Sequence, residues 1–261
     1  MSKLSHRSGR RHPLASVALL VVGLFATGGT YALFTGTAAA ESSEVAVATL
    51  EEGKKLFQAN CASCHGLNAE GTNAGPSLIG VGALSVEFQV GTGRMPMAGT
   101  GPQVQTKPVQ FVQEDIDSMA AWVASLAPGP AIPSADELEG GDASNGAELF
   151  RINCAMCHNV AGAGGALTEG KFAPHLKNID PVHIYAAMVT GPQNMPVFSD
   201  MNLTADEKRD VIAYLKYMDG NPSVGGLDLG ALGPVSEGLF IWIFGLGGLV
   251  AITVWLTAKS N

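Results

Sequence analysis

The chain of 261 residues contains four cysteines, and all four sit in two copies of one pattern. The first copy is Asn60-Cys61-Ala62-Ser63-Cys64-His65 and the second is Asn153-Cys154-Ala155-Met156-Cys157-His158. Residues three apart on a helical turn share a face. Two thiols so placed can reach the two vinyl groups along one edge of a haem and form thioethers. The next residue, a histidine, then offers its imidazole to the iron. C-x-x-C-H is thus the attachment signal for haem c, and two copies predict two covalently bound haems. Cys61, Cys64, Cys154 and Cys157 form the thioethers in this reading, with His65 and His158 as the fifth ligands. Zinc could in principle take four cysteines from two C-x-x-C pairs, and a C-x-x-C pair could be a redox dithiol. Neither accounts for a histidine directly after the second cysteine in both copies.

A haem iron with histidine on one face needs a sixth ligand or keeps an open position for chemistry. Met95 and Met195 each precede a proline, lie in Gly/Pro-containing loops and follow their own C-x-x-C-H at comparable distance. A thioether ligand favours ferrous iron and raises the reduction potential, and a six-coordinate iron has no free site for oxygen or peroxide. The pair therefore predicts electron transfer. Met97 competes with Met95, and Met188 and Met201 compete with Met195, but none of the three is followed by proline. His175 and His183 are expected on the surface or in loops.

The elements that must position these groups form an internal repeat. A shift of 93 residues aligns Gly53, Leu56, Phe57, Asn60, Cys61, Ala62, Cys64 and His65 with identical residues in the second copy, eight of the sixteen positions from 51 to 66. Residues 45–127 form the first expected domain and 146–220 the second, joined by the Pro/Gly-rich, acidic linker 128–145. Each is expected to close with a helix. In the first, Glu114 to Leu126 carries Ile116, Met119, Ala120 and Val123 at i, i+3, i+4, i+7 spacing. In the second, Thr204 and Glu207 form a capping box at the start of the helix. Trp122 and Tyr214 fall in register on these helices and are expected to pack against the helix before the haem motif.

Two apolar runs flank the domains. Leu14 to Phe34 and Gly238 to Ala258 each hold 21 residues without a charge. As helices they reach about 31 Å against a hydrocarbon core of roughly 30 Å. Lys3, Arg7, Arg10 and Arg11 precede the first, so residues 1–13 are expected in the cytoplasm and the chain to exit outward. Ala38-Ala39-Ala40 offers an alternative, a signal peptide ending at residue 40. A Gly-rich spacer, 221–237, leads to the second span, and 259–261 returns to the cytoplasm. Between Glu41 and Pro234, 10 Lys/Arg face 22 Asp/Glu, a balance of −12. That excludes nucleic acid as a natural partner.

Each domain resembles a class I cytochrome c, an all-α fold. The whole arrangement resembles the dihaem cytochrome c subunit (cytochrome cc) of the actinobacterial menaquinol–cytochrome c reductase, a cytochrome bc-type complex. GKKLFQANCASCHG, GPSLIGVG, FQVGTGRMPM and the C-terminal apolar segment carry the likeness. The resemblance implies that Gly53 and Phe57 cross the closing helix near Trp122, that Gly146 and Phe150 do so near Tyr214, and that Pro76 and Pro174 pack near the ligating histidines. It implies cytochrome b and a Rieske iron–sulfur protein as partners in a multi-pass cell-membrane complex, with the haem domains on the extracytoplasmic face. Electrons are then expected to enter at the first haem, leave at the second and reach an aa-type cytochrome oxidase in a supercomplex. The chain would act as an oxidoreductase (translocase) subunit with no substrate chemistry at its own haems. Two haems on a tethered chain suit a fixed wire, whereas one suffices for a diffusing shuttle. Two other readings remain. One is a c-type subunit of a cbb-type oxidase or of a dehydrogenase. The other is a dihaem peroxidase or thiosulfate dehydrogenase, which would need an open or differently ligated iron.

Overall fold

Two helices that cross at a glycine set the frame of each repeat. The computed structural model describes residues 13–221, 229–231 and 234–259, without the side chains of 13, 16, 31–48, 230 and 234. Helix α1 runs from Pro13 to Asn60. Its last turns meet α4 (Gln113–Leu126) so closely that a Cβ on Gly53 would collide with the Ser118 carbonyl. One turn on, the Phe57 ring lies 4.6 Å from that of Trp122. In the second repeat, α5 (Ala143–Asn153) crosses α8 (Ala205–Gly220). A Cβ on Gly146 would strike the Asp210 carbonyl, and Phe150 sits 5.5 Å from Tyr214. Both crossings match the expectation. The spaced apolar positions of α4 are buried, as their helical period requires, and the Thr204–Glu207 capping box is formed.

After each crossing comes a single turn bearing the haem motif, α2 (Ala62–His65) and α6 (Ala155–His158). A further helix then follows in each repeat, α3 (Gly82–Gly91) and α7 (Pro181–Thr190). Neither was legible as a helix, because the glycines around them read as loop. A cue for α7 was present: Asp180 accepts a hydrogen bond from the Val182 N–H as N-cap, and Pro181 occupies the first turn. Among the described residues the fold is helical, with an isolated bridge between Thr72 and Gly75 in the first repeat and a short antiparallel pair in the second, β1 (Gly165–Ala166) and β2 (Phe172–Ala173).

The segment expected as a linker has structure of its own. A 3-10 turn, Ala135–Leu138, is closed by a Ser134–Glu137 capping box. Leu138 enters the core of the second repeat beside Phe150, Ile184 and Leu215. Upstream, the Pro130 carbonyl accepts from the Leu84 N–H at 3.1 Å. The stretch therefore ties one repeat to the other.

The repeats also meet directly through α3 and α7, where Leu84 and Phe88 pack on Ala186. Here the expectation for His183 is corrected: it lies on α7 inside this contact, with its side chain 18% exposed. Its Nε2 lies 3.4 Å from Glu87 Oε1, at ion-pair distance but outside hydrogen-bond alignment. Glu87 also accepts from Gln113 Nε2 at 2.9 Å. The partners of this pair come from separate repeats, which is why no local pattern revealed it.

At the C-terminus, residues Val235–Lys259 form a 25-residue apolar helix, none of it buried in the protein. A π-turn runs over Ile241–Leu246. This is the one helix among the described residues long and apolar enough to cross a membrane. The N-terminal apolar stretch that is described, Val17–Thr30, is shorter, and the side chains of 31–34 lie outside the described residues. The side chains around Ala40, most of the 1–13 tail and most of the Gly-rich spacer lie outside the described residues.

Two outcomes follow from this packing. Gly146→Ala is expected to cost about 3 kcal/mol in denaturant unfolding, since the α5–α8 crossing has no room for a methyl group. Gly99→Ala, with nothing within 4 Å of its Cβ, should stay within about 0.5 kcal/mol of the parent. The neighbouring His183 imidazole holds the Glu87 carboxyl below its ordinary value of 4.5, outweighing the upward push of burial, and Gln113 adds to the lowering. A depressed carboxylate stabilises the fold fully above its unfolded value and loses that stabilisation as pH falls through the folded one. Glu87→Gln should therefore cost about 1–2 kcal/mol at pH 7 and progressively less as pH falls below 4.5, measured by unfolding in detergent across that range.

Candidate haem-binding sites

The C-x-x-C-H turns are built alike. Cys61 N–H donates to the Phe57 carbonyl at 2.7 Å, and the N–H groups of Cys64 and His65 return to the Cys61 carbonyl at 3.1 and 3.0 Å. In the second copy, Cys154 N–H donates to Phe150, and Cys157 and His158 return to Cys154, at 2.8, 3.1 and 2.9 Å. The crossing phenylalanine thus starts the turn that presents the cysteines. Each turn ends on a residue with positive φ, Gly66 at +83° and Asn159 at +67°. Asparagine is among the few other residues that tolerate this conformation.

Each histidine is oriented by a proline carbonyl. His65 Nδ1 is 2.7 Å from the Pro76 oxygen and His158 Nδ1 is 2.9 Å from the Pro174 oxygen. Since the carbonyl can only accept, Nδ1 carries the proton and donates. The lone pair is then on Nε2, the atom left to bind a metal. Burial pushes His158 below its ordinary value, against the upward pull of its bond to Pro174, which favours the neutral, ligating form. This fits a haem-binding histidine.

The cysteines are free thiols in intermediate or exposed positions. Burial, with a smaller contribution from the neighbouring Cys64, pushes the Cys61 thiol up to about 11. Cys154, beside Cys157, is likewise pushed up to about 11. Dithiol exchange needs a thiolate, which burial of Cys61 and Cys154 disfavours, and no group of three or more His, Cys, Asp or Glu among the described residues could hold a metal ion. The donor set and the oriented imidazole fit haem c.

Met95 and Met195 both lie just beyond a helix end and both are partly buried. Met95 N–H donates to the Gln89 carbonyl at 2.8 Å, beside Arg94 N–H on the same oxygen. The Met195 loop is held by Met195 N–H to Pro192 at 3.0 Å and Phe198 N–H to Met188 at 2.8 Å. At its far end Asp200 accepts from Lys208 Nζ at 2.6 Å. Lys208 is buried over its whole side chain, a role that nothing in the sequence marked. The competing methionines are disposed otherwise. Met188 is 2% exposed and part of the core, while Met97 and Met201 are 42% and 97% exposed. His175 is exposed, as expected.

Residues 50–127 match the cytochrome c family, and residues 141–215 match the family described as cytochrome c oxidase, cbb3-type, subunit III. Two helical cytochrome c domains, each with a haem-attachment turn, define a c-type cytochrome with covalently bound haem c. Similarity extends over the whole chain to proteins named cytochrome bc1 complex cytochrome c subunit. The one from Corynebacterium efficiens is 41% identical over 99% of this chain and 93% of its own length. The one from Mycobacterium tuberculosis (strain ATCC 25618 / H37Rv) is 41% identical over 97% and 96%. A menaquinol:cytochrome c reductase cytochrome c subunit from Geobacillus thermodenitrificans matches a shorter stretch, 44% identical over 24% of this chain and 28% of its own. The chain belongs to the family of cytochrome bc1 complex cytochrome c subunits.

Proposed function

We propose that this chain is the two-haem electron conduit of a menaquinol-oxidising cytochrome bc complex. Cys61 and Cys64 hold one haem and Cys154 and Cys157 the other, with His65 and His158 as fifth ligands and Met95 and Met195 as sixth. The observation that carries this reading is the repeated Nδ1–carbonyl bond, His65 to Pro76 and His158 to Pro174, which leaves Nε2 of each imidazole as the atom that can bind iron.

When bound, each haem iron supplies a one-electron couple. The protein's own residues do the rest. Pro76 and Pro174 fix the tautomer and strengthen the imidazole as a donor. The loops after α3 and α7, which hold Met95 and Met195, would supply a thioether sulfur as the sixth ligand. With both axial positions taken by side chains, the sites serve electron transfer and no substrate chemistry. Partners follow from the family: cytochrome b and a Rieske iron–sulfur protein in the same complex, with the Rieske protein as donor. The route continues from the first haem to the second and on to an aa-type cytochrome oxidase. Residues 14–34 act as a second membrane span, and the domains face the extracytoplasmic side, because the basic residues at both chain ends belong in the cytoplasm.

The match of residues 141–215 to a cbb3-type oxidase subunit favours a second reading, a c-type subunit of such an oxidase. It concerns the second domain, whereas the bc1-type relatives align along the whole chain. Purification from native membranes separates the two. Cytochrome b and a Rieske protein should accompany the chain, and a cbb-type catalytic subunit in their place would overturn the assignment. Met195→His should abolish one sulfur-to-iron charge-transfer band and lower one reduction potential by on the order of 0.1–0.3 V, within the range that axial ligands command. The parent protein in the ferrous state should not bind carbon monoxide.

A further inference from the structure

The loop that follows Met95 reaches across to the second domain. Its base is closed within the first domain by Lys107 N–H to the Gly93 carbonyl at 3.1 Å. Midway along it, the Gln103 side-chain amide makes a two-way pairing with one backbone residue of β2. Gln103 Nε2 donates to the Phe172 carbonyl at 2.9 Å, and Gln103 Oε1 accepts from the Phe172 N–H at 2.8 Å. The amide thus takes the place of a further strand on the outer edge of β2. One residue later, Val104 N–H donates to Gln193 Oε1 at 3.4 Å.

Both targets lead to the second domain's candidate ligands. Phe172 and Ala173 form β2, and the next residue, Pro174, supplies the carbonyl that takes the Nδ1 proton of His158. The partner strand β1 begins at Gly165, and Gly164 N–H donates back to the His158 carbonyl at 2.9 Å. Gln193 precedes Met195 by two residues in the loop that Met195 N–H closes on Pro192. Residues 103 and 104 of the first domain therefore brace the segment that orients His158 and the segment that carries Met195.

We propose that Gln103 is a positioning residue for the second haem. In this role the first domain completes the second domain's ligand cradle and helps to set its reduction potential. The proposal rests on the reading of His158 and Met195 as axial ligands. The physical route is short. A carbonyl held rigidly against Nδ1–H makes the imidazole a stronger donor to iron and favours the ferric state. Loosening β2 lets that carbonyl drift, weakens the donation and raises the potential.

The experiment uses the full dihaem chain in detergent, with Gln103→Ala and Gln103→Glu. The second variant keeps the shape but turns the donor towards Phe172 into a repelling acceptor. Each haem's potential is followed by spectroelectrochemistry, and the methionine methyl resonances of the two haems are followed by NMR of the reduced protein. Met195→His assigns the signals, since it removes the second haem's methionine resonance. Gln103→Ala should raise the second haem's potential and shift its methionine signal, with the first haem unchanged. Gln103→Glu, whose added negative charge itself favours the ferric state, should shift the same methionine signal without the same rise in potential. Unmoved potentials, or a shift confined to the first haem, would overturn the proposal. If Met195→His removes neither methionine signal, the ligand reading itself fails, and that failure is seen independently of either Gln103 variant.

Discussion

Everything in each domain depends on two helices approaching so closely that neither Gly53 nor Gly146 could carry a side chain. That approach packs Phe57 against Trp122 and Phe150 against Tyr214. It also fixes where the first helix of the pair must stop, and the stop is the C-x-x-C-H turn, hydrogen-bonded back to the same phenylalanine. A haem-attachment site needs two thiols and an imidazole held in one orientation before the ligand strength of the iron means anything. The crossing supplies that orientation from buried apolar surface, the strongest favourable contribution available to a small helical domain.

From the turn outward, the design is a set of backbone carbonyls that hold functional side chains in place. Pro76 and Pro174 each give a carbonyl to a histidine, and proline's fixed φ makes each a stiff platform. Gln89 gives one to the backbone before and at Met95. The two domains solve the same problem with different residues at several points, such as Gly66 and Asn159 closing equivalent turns. They agree wherever the ligands themselves are concerned.

The domains do not hang on a loose tether. Leu138 from the joining segment lies in the second core, Pro130 bonds to α3, and Glu87 faces His183 across the contact. Two haems held on one chain are thereby held at a fixed separation, and electron tunnelling falls steeply with separation. A joint that flexed would make the rate between them vary with every fluctuation.

The sequence by itself determined the covalent attachment of haem and the period of the fold. Cys-x-x-Cys-His, Met-Pro, the glycine–phenylalanine pair and the spaced apolar positions of the closing helices are local patterns, and each depends only on near neighbours along the chain. It also determined the C-terminal apolar helix, whose length alone answers to a membrane. What only the tertiary structure decided lies between elements distant in sequence. Helices α3 and α7 were obscured because their flanking glycines read as loop, and their apolar faces acquire meaning only against each other. His183, read as a surface or loop residue, became an interface residue because Glu87, 96 positions earlier, came to face it. The reach of Gln103 to Phe172, over 69 positions, had no sequence mark at all. A side-chain amide that pairs with a backbone has no preferred spacing, so its partner is chosen only when the two domains come together.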